Sequence, residues 1–270
     1  MEKAKEYWVA CAKGNLQKVK EIYKEYNDVI NWKNLHHGRH YTGLHIACHM
    51  GQKRIIDYIT KLPQIQVNQR DYRQRTPFWI ACLNGREDVV EILLKNGRGI
   101  IDVNQGDNDE TTPLCAACMR GNDVIVEILL RVEGIDVNQG DNEGRTPFWI
   151  ACRNGNEEIV ELLLKYGSGI DLNRIDEKGM TPLSIACENG KEEIVKILLA
   201  SGEGIDVKKK TNPGDDDWNE KTVAQIARMK NLNDIADLID EYGRNPSEVT
   251  LKMKQELGLS PSPLFSFFHF

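Results

Sequence analysis

The chain lacks any long apolar run. Its longest hydrophobic stretches are five or six residues, against the ~20 that a membrane-spanning helix needs, so no membrane span is expected. It also lacks an excess of positive charge. With 35 Lys+Arg against 41 Asp+Glu, the formal net charge of −6 argues against non-specific attraction to nucleic acid. The opening residues, MEKAKEYWVACAKG, hold no apolar core of a secretory leader, so the expected location is cytoplasmic, with the nucleus as the other setting. Cysteine occurs in an odd number, seven, which fits a reducing compartment better than a disulfide framework. No G-x-x-x-x-G-K-[ST] or G-x-G-x-x-G phosphate cradle occurs, and no nucleophile–base set is visible. Nothing therefore marks an enzyme, and neither cofactor nor metal is expected.

What is present is a globular composition, with 28% charged and 40% hydrophobic residues, and a repeat. TPFWIAC stands at 76–82 and again, letter for letter, at 146–152. Between and around them lie TGLHIAC (42–48), TPLCAAC (112–118) and TPLSIAC (181–187), with the degenerate KEYWVAC (5–11) and TVAQIAR (222–228) at the ends. The steps are 37, 34, 36, 34, 35 and 41 residues, the signature of stacked structural units. Each copy continues with two variable residues and a Gly (Asn231 in the last), then an apolar block such as EDVVEILLK at 87–95. Doublets four residues apart, Val89–Val90 and Leu93–Leu94, read as a helix with a broad buried face. A loop rich in Gly, Asn and Asp follows, GIDVNQGDN at 134–142, with hairpin character. Thr-Pro then marks the next helix start, Thr as cap and Pro in the first turn. No unit can bury its apolar face alone, so the units must stack into a solenoid.

This pattern resembles the ankyrin repeat, whose signature is T-P-L-H-x-A with G-x-D-V-N in the loop. The resemblance implies an all-α ankyrin-repeat solenoid of about seven helix-turn-helix units with projecting hairpin loops. The units start near residues 3, 40, 74, 110, 144, 179 and 220, and the array spans 1–243. Two departures stand out: Gly43 replaces Pro, and the signature His survives only as His45. The segment 244–259 reads as a capping helix with a Val249, Met253, Leu257 stripe. The tail 260–270, SPSPLFSFFHF, reads as flexible and apolar; it docks on the array, docks on a partner, or is an atypical chain end.

Register decides the chemistry of Cys115 and Cys118, which form a C-x-x-C. Cys118 aligns with Cys11, Cys48, Cys82, Cys152 and Cys187, a position where the family prefers Ala and where a small apolar side chain packs. A structural zinc site would need a second pair, which is missing. His45 and His49 share an i, i+4 spacing beside His36, His37 and His40, but His45 is the family's own signature residue. The loop aspartates Asp102, Asp136, Asp171 and Asp206 recur one per unit and do not converge.

Binding is sought where the repeat leaves the residue free. One set lies just before each Thr: Tyr72, Arg73 and Arg75; Asn108 and Asp109; Asn142, Glu143 and Arg145; Glu177, Lys178 and Met180. A second follows each AC: Leu83, Met119, Arg120, Arg153 and Glu188. Trp79 and Trp149 occupy the signature-His position, either packing along the array or flanking a slot over Cys115. Arg, Met and aromatic residues are interface-rich types. The resemblance implies a concave contact surface of loop tips and short helices. The expected role is thus a non-catalytic protein–protein interaction module or scaffold, monomeric, binding another protein, with no nucleic acid and no membrane. The alternative is a recognition or autoinhibitory subunit whose catalytic part is another chain. The stretch KKKTNPGDDDWNEK (208–221) is expected to be a solvated insertion carrying Trp218.

Overall fold

A threonine starts six of the short helices. In the computed structural model the backbone of Thr42, Thr76, Thr112, Thr146, Thr181 and Thr222 is extended. Each hydroxyl accepts a hydrogen bond from the backbone N–H three residues on: His45, Trp79, Cys115, Trp149, Ser184 and Gln225. These bonds satisfy an otherwise orphaned helix donor. Pro fills the first turn in four of the six, where its missing N–H costs nothing. Gly43 departs from this for a local reason: a Cβ there would lie 2.7 Å from the Tyr7 ring and 3.0 Å from Cys11 Sγ. The short helices end on a left-handed residue, Gly121 at φ 70° for example, and Asn231 at φ 62° in the last repeat. Glycine, and less easily asparagine, takes that conformation.

The structure describes residues 1–35, 39–97, 99–202, 204–213 and 219–259. Trp218, His36, His37 and the tail from 260 onward lie outside them. Among the described residues the regular elements are α-helices and one 3-10 turn, with no strand. The contacts divide the chain into an N-terminal unit, Met1–Ile135, and a C-terminal unit, Asp136–Phe270.

The N-terminal unit holds four helix pairs: α1 (Glu2–Lys13) with α2 (Leu16–Glu25), α3 (Gly43–Met50) with α4 (Lys53–Ile59), α5 (Pro77–Leu83) with α6 (Glu87–Asn96), and α7 (Pro113–Arg120) with α8 (Asp123–Leu130). First helices pack on first helices, α1–α3–α5–α7, and second on second, α2–α4–α6–α8. The C-terminal unit repeats this with α9 (Pro147–Asn154) and α10 (Glu157–Tyr166), α11 (Pro182–Glu188) and α12 (Glu192–Ser201), α13 (Val223–Met229) and α14 (Asn233–Arg244). A last helix, α15 (Pro246–Glu256), lies on α12 and α14. It buries Val249 and Met253, and Thr250 Oγ1 donates to Leu199 O at 2.9 Å. No described helix is long and apolar enough to cross a membrane.

The core of each unit is the repeated apolar register. Cys11, Cys48, Cys82, Cys118, Cys152 and Cys187 all have no exposed surface, so the recurring thiol fills space between helices. Burial raises the thiols, Cys11 and Cys187 to about 12, and Cys48, Cys82 and Cys152 in the same direction. A thiol held protonated at neutral pH is a poor nucleophile.

Candidate partner-binding surface

The hairpin tips are built around a buried or half-buried aspartate that the loop sequence hides among its polar residues. Asp71 Oδ1 accepts from the backbone N–H groups of Arg73 (2.8 Å) and Arg75 (2.9 Å). Asp107, Asp141 and Asp176 take the same pair of bonds in their own tips. The Arg75 guanidinium closes on Asp71 Oδ2 at 2.7 Å, and Arg145 does so on Asp141 at 2.7 Å. Thr111 and Met180 occupy the equivalent place beside Asp107 and Asp176, and burial raises both of those carboxyls.

Neighbouring tips are joined through the backbone. In the N-terminal unit Asn108 N donates to Arg73 O at 2.9 Å; in the C-terminal unit Glu177 N donates to Glu143 O, and Asn212 N to Lys178 O, both at 2.9 Å. Deeper in each loop an asparagine repeats the link by side chain. Asn68 Nδ2 donates to Ile100 O (2.6 Å) and Asn104 Nδ2 to Gly134 O (2.7 Å) in one unit; Asn138 Nδ2 donates to Gly169 O (2.7 Å) in the other. The recurring Asp102, Asp136 and Asp171 each accept from the backbone N–H two residues on. Their spacing serves the turn.

The signature position supplies a third kind of joint. His45 Nδ1 lies 2.7 Å from Thr42 Oγ1, and its Nε2 lies 3.1 Å from Arg75 O. The ring is fully buried, and burial pushes its pKa down to about 4. In two later repeats an indole takes over the second bond. Trp79 Nε1 donates to Thr111 O at 2.7 Å and Trp149 Nε1 to Met180 O at 3.1 Å. These carbonyls, like that of Arg75, belong to the residue before the next Thr.

The nominated residues therefore fall into two groups. Trp79, Trp149 and Met180 are buried, 5%, 4% and 1% exposed, and the indoles join repeats. Cys115 has no exposed surface and cannot floor an open slot. Tyr72, Arg73, Asn108, Asp109, Met119, Arg120, Asn142, Glu143, Arg153, Glu177 and Lys178 are exposed, and Arg75, Leu83, Arg145 and Glu188 are half-buried. In the C-terminal unit several of them meet. An open cleft of about 180 Å³ is lined by Trp149, Met180 and Ile185 together with Glu143, Arg145, Arg153, Asp176, Lys178, Glu188 and Asn189. In the N-terminal unit Arg73 lies over the Tyr72 ring (5.4 Å to the centroid), and Arg75 over Trp79 (5.4 Å).

Sequence reasoning missed Arg39 and Arg86. Arg86 follows the turn glycine, where other copies carry Asn15, Gln52, Asn122, Asn156 and Lys191. Gln52 and Asn122 there reach back to a carbonyl at the end of the preceding short helix, Ala12 O and Cys82 O. Arg86 does the same, with Nη2 donating to His49 O at 3.4 Å, and so adds a charge. Its departure in register was the available signal. Among the described residues no three His, Cys, Asp or Glu side chains form a metal-ligating cluster.

Comparison with known proteins decides the family. The model for ankyrin repeats (3 copies) matches residues 7–107, 98–176, 116–211 and 168–249. The chain belongs to the ankyrin-repeat family. Among solved structures it is similar to the ankyrin repeat domain of Bcl-3, described as a unique member of the IkappaB protein family. The TM-score is 0.73 at 23% sequence identity, over 85% of this chain and 96% of that one. At that identity the likeness is one of fold. The Trp joints and the arginines at the tips are read from this chain's own ankyrin repeats.

Proposed function

We propose that this ankyrin-repeat chain is a non-catalytic adaptor, monomeric and cytoplasmic or nuclear, that binds another protein. The contact surface is formed by its hairpin tips and the exposed ends of its short helices. Ankyrin repeats are protein-interaction modules; the choice of face is our reading. One observation carries it: exposed residues differ beside two copies of the repeat whose buried heptapeptide is the same. TPFWIAC is identical in α5 and α9, yet Tyr72 and Arg73 stand before one copy and Asn142 and Glu143 before the other, all exposed. Packing alone has no use for such variety; a specific interface uses Arg, Tyr and Met in this way.

The test is capture on the immobilised full chain, with the retained protein identified by mass spectrometry. The same capture is then run on a Tyr72→Ala, Arg120→Ala, Arg153→Ala variant. The partner is expected to be lost while the unfolding midpoint stays put. A partner retained by the triple variant but lost on changing exposed residues of the second helices would move the site elsewhere and end the proposal.

A further inference from the structure

We infer that the tip and short-helix surface of the N-terminal unit receives an acidic protein segment, with carboxylates at two points roughly 10 Å apart and apolar or aromatic side chains beside them. This rests on the protein-binding reading above and adds the partner's chemistry to it.

The charge comes first. Arg39, Arg73 and Arg86 are exposed, and none has a carboxylate within ion-pair distance among the described residues; nearby Asp71 pairs with Arg75 and Asp88 with Lys53. Arg73 Nε instead donates to Tyr72 Oη at 2.6 Å, Arg39 lies 5.8 Å from the Tyr41 ring centroid, and Arg86 holds the His49 carbonyl. Each guanidinium is thus oriented by a neutral group and keeps its charge for a ligand. In a chain of net charge −6 these are three guanidinium groups without a carboxylate partner on one region of the surface. His49, half-buried among them, has its pKa lowered by burial and then by Arg39, Arg86 and Arg75, as a positive field requires.

The spacing follows from the repeat. Arg39 and Arg73 belong to the tips, at the start of α3 and α5. Arg86 stands just past the end of α5, whose seven residues rise about 10 Å. Exposed Tyr72 stands beside Arg73 at the tip end, and exposed Met50 and half-buried Leu83, the last residues of α3 and α5, stand at the Arg86 end. Exposed Glu87 and Asp88 after Arg86, and exposed Asp109 and Glu110 on the next tip, interrupt the positive charge, so it is not a continuous basic track for a phosphate backbone.

The test is fluorescence anisotropy with the full chain and a labelled Glu-Glu-Phe-Phe-Glu-Glu peptide, its Gln-for-Glu counterpart, and a thymidine oligonucleotide. The acidic peptide is expected to bind, to weaken with added salt, and to lose at least about tenfold in affinity in an Arg39→Gln, Arg73→Gln, Arg86→Gln variant. Lys24→Gln, Lys95→Gln, Arg131→Gln, the same charge change on or just past the end of second helices, should leave binding unchanged. Equal binding of the Gln peptide, equal loss in the control variant, or displacement of the peptide by the oligonucleotide would each overturn the inference. If no peptide binds while the captured protein is still lost from the Tyr72→Ala, Arg120→Ala, Arg153→Ala chain, the surface stands and the acidic partner is wrong.

Discussion

The helices α5 and α9 share one heptapeptide and one internal geometry, yet they present different chemistry. Each Trp is buried, capped by its Thr and bonded by its indole to the carbonyl before the next Thr. Around α5, in the N-terminal unit, stand Tyr72, Arg73, Arg75 and Arg86. Around α9, in the C-terminal unit, Arg145 pairs with Asp141 and Glu143, and a cleft of mixed charge opens over Trp149. The repeat fixes the joint, and the residues flanking it set the surface. Stability and recognition can therefore be altered separately, and the comparison can be broken at the joint or at the surface.

The largest effect is expected at the joint. Trp79→Ala and Trp149→Ala should each cost ~3–5 kcal/mol in urea unfolding, from the cavity and the orphaned carbonyl. Near-equal costs would support one shared role; a small cost at either site would show that its Trp is dispensable to packing.

The His joint differs from the Trp joints in that it can titrate. His45 sits at about 4 when folded against an ordinary 6.5. A His lowered in the folded state supports folding fully above its unfolded value. That support is lost as pH falls from about 6.5 toward 4, by roughly 3 kcal/mol in total. Unfolding midpoints across that window should fall for the parent chain and flatten for His45→Gln. Equal slopes would place the acid sensitivity elsewhere.

Gly43→Pro, which restores the family's own residue, should destabilise by ~1–3 kcal/mol, because Tyr7 and Cys11 occupy the space. A stabilised variant would show that Tyr7 yields easily. The smallest effect is expected at the last turn. Asn231→Ala should cost ~1 kcal/mol because its φ is 62°, and a neutral result would mean that the turn relaxes.

Much of this architecture could be read from the residues. Thr-Pro located the helix starts, the turn glycines located the bends, and the shared cysteine register explained Cys118. The joints were illegible because they link residues about one repeat apart: nothing local in TPFWIAC says that its indole meets Thr111 O or Met180 O. The tip aspartates were hidden for the opposite reason, since a polar residue in a polar loop carries no contrast. At the surface, variation marked Tyr72, Arg73 and Arg153, but burial could not be judged, and so Met180 was grouped with them. Arg86 lay one residue outside the positions compared.

The most direct test of a repeated interior under a variable binding face is amide hydrogen exchange on the chain, alone and with its captured partner. Protection should increase at the tips, residues 72–75, 108–111, 142–145 and 177–180, and at the ends of the short helices, while α4, α6 and α10 stay unchanged. Protection confined to those second helices, with the tips unaffected, would contradict the account.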